Sequence, residues 1–596
     1  MAGPTLEISQ NGSSRQVPVG AEPITIGRQI ANMVVIEDTE ASRFHCVVEK
    51  VANGFRVRDL GSRNGTKVNG HLVKVALLDQ NDVVTIGKTE LRLVNGATTG
   101  KSAASATSQP AISMKPARMA SSDDDDVADE GGLNFLGGDD YDPLAEPAMS
   151  DEQGDPHATI MDSGGPPTDS LLRMADALPE KSFNHFDIAL ISARGQIAHP
   201  AGAPKKKDAD SVGEAVTLLR LLLLVCFRTR ASDIHIEPKN DIYLVRVRID
   251  GIMVDAAKLK KEMGVRLCAV VKVISEIDIS QRNIVQEGSF STRVPDRRVD
   301  YRVSFTPAMF GQKCVIRVLD AANAPRYLWD LGLPEWMFSE IDKKIRGDSG
   351  MVLVCGPTGS GKTASLYATL RSIDAGERNV ITIEDPVEIQ IEGITQMPVQ
   401  EDRGNTFAAL LRSSLRQDPD VILVGEIRDA ETARTAIQAS MTGHLVFSTV
   451  HARDTVGTIF RLLDLGIEPY LVASGLQIVM AQRLVRNLCP HCRVGLKPNA
   501  EQAEKLEKAM GAPVPRIYRS AGCPRCLHTG FAGRRGVFEV LGINEAVREV
   551  MQKNPTPGDI YRAMEGTKFV KLMDAGYRLV AEGKTTLDEV ERVVGT

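Results

Sequence analysis

A chain of 596 residues is too long for one ordinary hydrophobic core, and the usual domain size divides it into about three to five folded units. With 42% hydrophobic and 25% charged residues it has a globular composition, which excludes a membrane, fibrous or wholly disordered protein. A formal charge of -6 gives no electrostatic reason to expect nonspecific nucleic-acid binding. Met1 to Thr5 lack a basic segment followed by an apolar run. The markedly apolar stretch Leu221 to Phe227 is flanked by Arg220 and Arg228, and falls well short of the roughly 20 residues of a membrane span. A cytoplasmic location is the expectation. Four of the nine cysteines form two Cys-x-x-Cys pairs, which favours metal binding over a disulfide framework.

Residues 1–97 contain short alternating runs such as Thr5-Leu6-Glu7-Ile8 and Val83-Val84-Thr85-Ile86, separated by Gly and Asn turns, and predict a small all-β sandwich. Gly27-Arg28, Ser42-Arg43-Phe44-His45 and Asp59-Leu60-Gly61-Ser62-Arg63-Asn64-Gly65-Thr66, followed by Asn69-Gly70, resemble a forkhead-associated (FHA) domain. The resemblance implies loops that bind phosphothreonine through Arg28, Ser42, Arg43, Arg63 and Asn64. A dianionic phosphate is satisfied by guanidinium, hydroxyl and amide donors, and these residues supply all three. Gly27, His45 and Gly65 are expected to shape and brace the loops.

Residues 98–205 turn to Ser, Ala, Asp, Gly and Pro, including the run Asp123 to Asp126. So little apolar surface cannot repay chain ordering, and the segment predicts a disordered acidic linker. Within it, Thr159-Ile160-Met161-Asp162 places an acidic residue three positions after a threonine, a pattern that FHA domains favour, and is a candidate internal ligand.

Residues 206–330 mix strands such as Tyr243 to Arg248 with amphipathic helical stretches, and across 331–488 buried strands such as Met351 to Val354 are each followed by a helix, an α/β layout. The octet Gly356-Pro357-Thr358-Gly359-Ser360-Gly361-Lys362-Thr363 follows that strand and opens a helix. Its glycines let backbone amides curl around a β-phosphate, Lys362 reaches the β- and γ-phosphates of ATP, and the Thr363 hydroxyl ligates Mg2+. The plainer alternative is a glycine-rich turn with an exposed lysine. Two acidic motifs follow, Ile381-Thr382-Ile383-Glu384-Asp385-Pro386-Val387-Glu388 and Val421-Ile422-Leu423-Val424-Gly425-Glu426-Ile427-Arg428-Asp429. Hydrolysis needs carboxylates to hold the metal's water ligands and to polarise the attacking water. Four apolar residues before Gly425 predict a buried strand that delivers Glu426 to the C-terminal edge of the sheet. Strand-end carboxylates also cap helices or pair with a cation such as Arg428, which suits Asp429 and Glu388 better than Glu384 and Glu426.

Leu415-Arg416-Gln417-Asp418-Pro419-Asp420, Gly425 to Asp429, Thr442-Gly443-His444 and Ser448-Thr449-Val450-His451 resemble the type II secretion and type IV pilus assembly ATPases, over residues 206–596. The resemblance implies an N-terminal α/β subdomain, a RecA-like P-loop core and a hexameric homo-oligomer that works at an inner-membrane platform. By matching position it makes Glu384 the residue that activates water, Glu426 the Walker B carboxylate near Mg2+, and His444 and His451 nucleotide sensors. It also makes Arg246, Arg248 and Arg317 candidate arginine fingers, with a solvated strand face as the alternative. Two departures stand out. Val285-Gln286-Glu287-Gly288-Ser289 occupies the place of the family's Pro-Gln-Asp-Gly-Arg, and the FHA module and linker replace the usual N-terminal docking domain.

Cys489-Pro490-His491-Cys492 and Cys523-Pro524-Arg525-Cys526 form two knuckles whose four thiolates close a tetrahedral Zn2+ shell with no open position, so 489–530 reads as a structural zinc element. A reducible dithiol pair is the alternative. Residues 531–596 are mostly helical, with Asn544 to Met551 and Pro557 to Met564 as candidate helices. The expected protein is an ATP-driven assembly motor that binds a phosphothreonine protein or its own linker. Two rivals are a phosphopeptide scaffold with a degenerate ATPase half, opposed by intact Lys362, Thr363, Glu384 and Glu426, and a nucleic-acid translocase, opposed by the negative charge and 5% aromatics.

Overall fold

The computed structural model describes residues 4–95 and 166–595, apart from gaps at 11–12, 20–22, 30–31, 43, 52–53, 61, 63, 80–81, 180–181, 203–210 and 554. Of the linker expected over 98–205, residues 98–165, with Thr159, lie outside the described residues. The chain divides into two compact units, Met1–Pro143 and Leu144–Thr596.

The first unit is the expected sandwich. One sheet runs Ser13–Pro18, Pro4–Gln10, Thr89–Asn95, Val83–Ile86, Thr66–Val68, His71–Val73, and the other Val34–Val35, Ile24–Gly27, Cys46–Val51, Gly54–Asp59, Val75–Leu78. Alternation along each strand sends Leu6, Ile8, Ile26, Ile86 and Leu91 into the space between the sheets, where all are buried.

In the second unit the structure corrects the linker boundary, because a helix and two strands lie between residues 166 and 202. Pro167 opens the helix Pro167–Ala177, and Leu171, Met174 and Ala175, spaced i, i+3 and i+4, bury one face in the same core as helix Ser211–Thr229. Strands Ala189–Ile191 and Ile197–His199 then form the edge of an eight-stranded antiparallel sheet. Its remaining strands, in order, are Gln286–Val294, Arg297–Ala308, Gly311–Leu319, Asp233–Pro238, Ile242–Ile249 and Ile252–Lys260. Helices Ser211–Thr229 and Lys261–Ile274 cover one face. Strand Ile242–Ile249 turns Tyr243, Val245 and Val247 toward them and sends Arg246 and Arg248 to the other face.

The second sheet runs Thr395–Pro398, Val380–Glu384, Val421–Val424, Leu445–Val450, Gly350–Cys355, Leu476–Leu488, Phe531–Gly542, parallel except for its last pair. Strands Val380–Glu384, Val421–Val424, Leu445–Val450 and Gly350–Cys355 are buried at every position because helices cover both faces. Leu353, Ile422 and Val446 enter one core, and Val352, Val354, Leu423 and Phe447 the other. A hairpin of Arg493–Leu496 and Ile517–Ser520 with helix Ala500–Met510 is inserted between the last two strands. Helices Glu545–Met551, Pro557–Ala563, Leu572–Ala581 and Leu587–Val594 follow, the first two over the candidate helical segments. Among the described residues no helix is long and apolar enough to cross a membrane.

Candidate active site

Strand Gly350–Cys355 ends at the glycine-rich octet, and helix Lys362–Ser372 begins inside it. Gly356, Gly359 and Gly361 have φ of 151°, 79° and 88°, a region that side chains disfavour. A Cβ on Gly356 would lie 2.6 Å from the Gln482 carbonyl oxygen, and one on Gly361 would lie 2.9 Å from Gln482 Nε2. The loop is thus a backbone cradle opening onto a helix N-terminus, the form that binds phosphate. Lys362 Nζ donates to the carbonyls of Gly356 at 2.8 Å and Pro357 at 3.1 Å, contacts that a phosphate would replace. Burial lowers its pKa, opposed by the charge of Glu426. Gln482, whose Oε1 accepts from Ser365 Oγ at 2.7 Å, braces the cradle and belongs to no motif seen in the sequence.

Glu426 is fixed between two strand ends. Gly425 N donates to Ile383 O at 2.8 Å, and Ile427 N to Thr449 O at 2.9 Å. Glu426 Oε2 lies 3.8 Å from His451 Nε2, and Oε1 accepts from Arg428 Nη2. Burial, reinforced by the Lys362 charge, lowers the His451 pKa, so the ring is a neutral partner at pH 7. Asp429 caps the helix Ala430–Met441 through Thr432 N at 2.8 Å.

Glu384 is engaged differently. It is 4% exposed, and its oxygens accept from Tyr367 OH, from Thr382 Oγ1 at 2.5 Å and from Gln396 Nε2 at 3.1 Å. A general base must reach its proton, and in this arrangement the half-buried Glu426, not the buried Glu384, lies near Lys362 and His451. The two histidines expected as nucleotide sensors are separated. His444 precedes strand Leu445–Val450 and His451 follows it, so roughly 20 Å of extended chain lies between them. His444 is at the edge opposite the P-loop, with Nδ1 3.0 Å from the Ala439 carbonyl.

The three candidate arginine fingers share the open face of the eight-stranded sheet. Arg246 makes two 2.8 Å bonds to Glu237, Arg317 donates to Asp233 at 3.1 Å, and Arg248 lies 3.7 Å from Asp233. Among the described residues no hydrogen bond or ion pair joins any of them to the P-loop core. Arg302 makes that connection instead, donating to Val387 O at 2.9 Å and reaching Glu388 at 3.3 Å. It lies directly across from Ser289 in the ladder, so the position of the missing family arginine adjoins the one arginine of this row that touches the core.

Between the two subdomains lies a cavity of about 650 Å³ lined by Gly359, Gly361, Ser365, Asn487, Asp320 and Arg535. It borders the phosphate cradle and is large enough for a nucleoside.

The four knuckle cysteines converge. Cys489, Cys492, Cys523 and Cys526 place their sulfurs within 4.8 Å of one another, at 3.9 Å for Cys489–Cys523, 3.8 Å for Cys492–Cys526 and 3.7 Å for Cys523–Cys526. Tetrahedral ligation with Zn–S near 2.3 Å requires S–S spacings of about 3.8 Å. The donor set therefore fits Zn2+, and the N–H groups of Cys523 and Gly530 point at Cys526 Sγ, as they do around a metal-bound thiolate.

In the sandwich, Arg28, Ser42 and Asn64 meet at one end. Arg28 N donates to Ser42 O at 3.1 Å, and Asn64 Nδ2 to Glu40 O at 2.8 Å. Fully buried His45 accepts from Ser42 N on Nδ1 at 3.0 Å and is 3.2 Å from Gly65 O through Nε2, so it ties the two loops together. Arg43 and Arg63 lie outside the described residues.

Comparison with known proteins agrees with this architecture. The FHA domain model matches residues 24–87, and the model of the family described as Type II/IV secretion system protein matches residues 208–592. The Type II secretion system protein E of Aeromonas hydrophila is 42% identical over 387 residues, which cover 65% of this chain and 77% of that protein. The type IV pilus assembly ATPase PilB of Myxococcus xanthus is 39% identical over 390 residues, covering 64% and 68%. The structure of the Legionella pneumophila ATPase DotB covers 63% of this chain and 94% of its own, at 20% identity and a TM-score of 0.47. With one family model spanning well over half of its length, the chain belongs to the Type II/IV secretion system protein family and carries an FHA domain at its N-terminal side.

Proposed function

We propose that this protein is a cytoplasmic ATP-hydrolysing motor, a hexamer docked at an inner-membrane platform, that drives assembly of a type IV pilus or a type II secretion pseudopilus. The observation that carries this reading is the placement of Glu426, beside Lys362 and His451, at the edge of the sheet where the P-loop opens. Gly356 to Thr363 would hold the phosphates, and the cavity behind Gly359 and Gly361 would hold the nucleoside. Thr363 would hold Mg2+ together with the phosphates, and the ion would supply charge neutralisation for the transferred phosphoryl group. Glu426 polarises water, and His451 orients that carboxylate and reports the γ-phosphate. Glu384 acts through Tyr367 and the loop from Asp385 to Glu388, and takes part directly only when its donors release it. Arg246, Arg248 and Arg317 serve a neighbouring subunit, and Cys489, Cys492, Cys523 and Cys526 hold a structural Zn2+.

The FHA unit reads phosphothreonine, on a partner or on the linker, through Arg28, Ser42, Arg43, Arg63 and Asn64, which ties the motor to threonine phosphorylation. The test is ATP turnover by the purified full chain beside Lys362→Ala, with binding of a phosphothreonine peptide compared between wild type and Arg28→Ala. Expected are turnover lost in Lys362→Ala, and peptide affinity lower by about tenfold to a hundredfold in Arg28→Ala, the scale of a charge-assisted contact. Turnover that survives Lys362→Ala would remove the motor reading.

A further inference from the structure

The loop that leaves strand Leu445–Val450 is held from beneath by two charged side chains that belong to none of the motifs described above. Arg483, on strand Leu476–Leu488, is 5% exposed and donates from Nη2 to Arg453 O at 2.7 Å and from Nη1 to Gln482 O at 3.1 Å. Glu539, on the adjacent strand Phe531–Gly542, is 2% exposed. Its Oε1 accepts from Thr455 N at 2.9 Å and Thr455 Oγ1 at 2.5 Å, and its Oε2 accepts from Leu572 N at 2.9 Å.

Apolar neighbours surround them on these two strands, with Ala481, Val485, Val537 and Val540 fully or almost fully buried. Burying a carboxylate and a guanidinium in such a place costs desolvation, and apolar residues would fill it at less cost. What the charges gain is a grip on the loop. Arg453 and Thr455 flank Asp454, whose carbonyl accepts from the Cys355 thiol at 3.4 Å, immediately before Gly356 of the P-loop. His451, two residues before Arg453, lies 3.8 Å from Glu426. Thr455 and Leu572 are each the first residue of a helix, Thr455–Asp464 and Leu572–Ala581, so a single carboxylate caps two helix N-termini.

We propose that Arg483 and Glu539 are positioning residues for hydrolysis. They fix the loop from His451 to Thr455 so that His451 stays on Glu426, and Glu539 links that loop to helix Leu572–Ala581. Movement of the C-terminal helices is thereby transmitted to the histidine. The inference rests on the ATPase reading of the site.

Full-length Glu539→Gln tests it, because the amide still accepts from Thr455 through its oxygen but no longer accepts from Leu572 N. Turnover is measured across ATP concentrations, with amide hydrogen exchange in parallel. Expected are a kcat lower by about tenfold or more and a KM within about threefold, the signature of lost positioning rather than lost binding. Exchange accelerates at residues 452–457 and 571–575 and is unchanged at 356–363. Glu539→Asp, which keeps the charge, recovers part of kcat. Wild-type turnover and exchange in Glu539→Gln would overturn the proposal, and so would accelerated exchange throughout the core, which marks a folding role alone. A wild-type chain that does not hydrolyse ATP would defeat the motor reading, while the exchange arm still decides whether Glu539 holds the loop.

Discussion

At the scale of single residues, the two glutamates of the acidic motifs separate by their surroundings. Glu426 was legible in the sequence, since an all-apolar run before Gly425 delivers one residue to the sheet edge. The donors that occupy Glu384 were not, because Tyr367 and Gln396 come from a helix and a strand that no local pattern pairs with it. Glu426→Gln is expected to cut kcat by about a hundredfold or more with no change in thermal midpoint. Glu384→Gln is expected to lower the midpoint as well, because an amide cannot accept from all three donors, a loss of about 1–3 kcal/mol. Equal midpoints for the two variants in a melting experiment would contradict this division. His45 makes a second prediction. Burial lowers its pKa, opposed by the Gly65 carbonyl and the charges of Asp59 and Asp38. Unfolded, the ring takes up a proton below about pH 6.5, whereas the folded sandwich resists it, so the unfolded state binds more protons. The stability that neutral His45 contributes is therefore complete above about pH 6.5 and is lost as pH falls from there through the lower folded pKa. The thermal midpoint of the FHA unit should drop between pH 7.5 and 5.5, and His45→Gln should flatten that dependence.

At the scale of elements, strands were easier to read than the places they lead to. Two histidines seven residues apart in a motif look like one site, but an intervening parallel strand carries them to opposite edges of the sheet, and only the structure shows that Leu445–Val450 is extended throughout. Helix Pro167–Ala177 was missed for a different reason. Its apolar face is three residues wide within a window dominated by Gly, Pro and Asp, and it becomes stable only against a helix that begins more than 30 residues later. The cysteine knuckles lay in plain view because thiolate spacing is a local property. The hairpin they close has little apolar anchorage, since Leu506 and Ile517 are the buried apolar residues it contributes, among the described residues, to the core shared with helix Leu572–Ala581. The metal should then contribute much of its stability. A strong chelator, or Cys523→Ser, is expected to release one zinc per chain in elemental analysis and to add an early unfolding transition assigned by proteolysis to residues 489–530. An unchanged melting curve after complete chelation would count against a structural metal.

At the scale of the whole molecule, the order of an all-β module followed by an α/β unit was readable from periodicity and the ATPase character from the motifs, whereas the side-chain pairing on the open face of the eight-stranded sheet was not. The open face of the eight-stranded sheet holds Arg246, Arg248 and Arg317 on Glu237 and Asp233, with Arg302 alone reaching the core of the same chain. The ion pairs of these three guanidiniums are with acids of their own sheet, and among the described residues none of the three pairs with the core it would serve. In a ring the same face can meet the nucleotide of the adjacent copy, where a guanidinium neutralises charge on the transferred phosphoryl group. This account separates cis from trans action by mixing. Arg317→Ala and Lys362→Ala chains should each be inactive alone, the first by about a hundredfold or more. Mixed and reassembled, they should regain part of the wild-type ATP turnover, because some interfaces then pair an intact P-loop with an intact arginine. If the arginine acted within its own chain, every subunit in the mixture would still lack one component, and turnover would stay at the level of the separate variants.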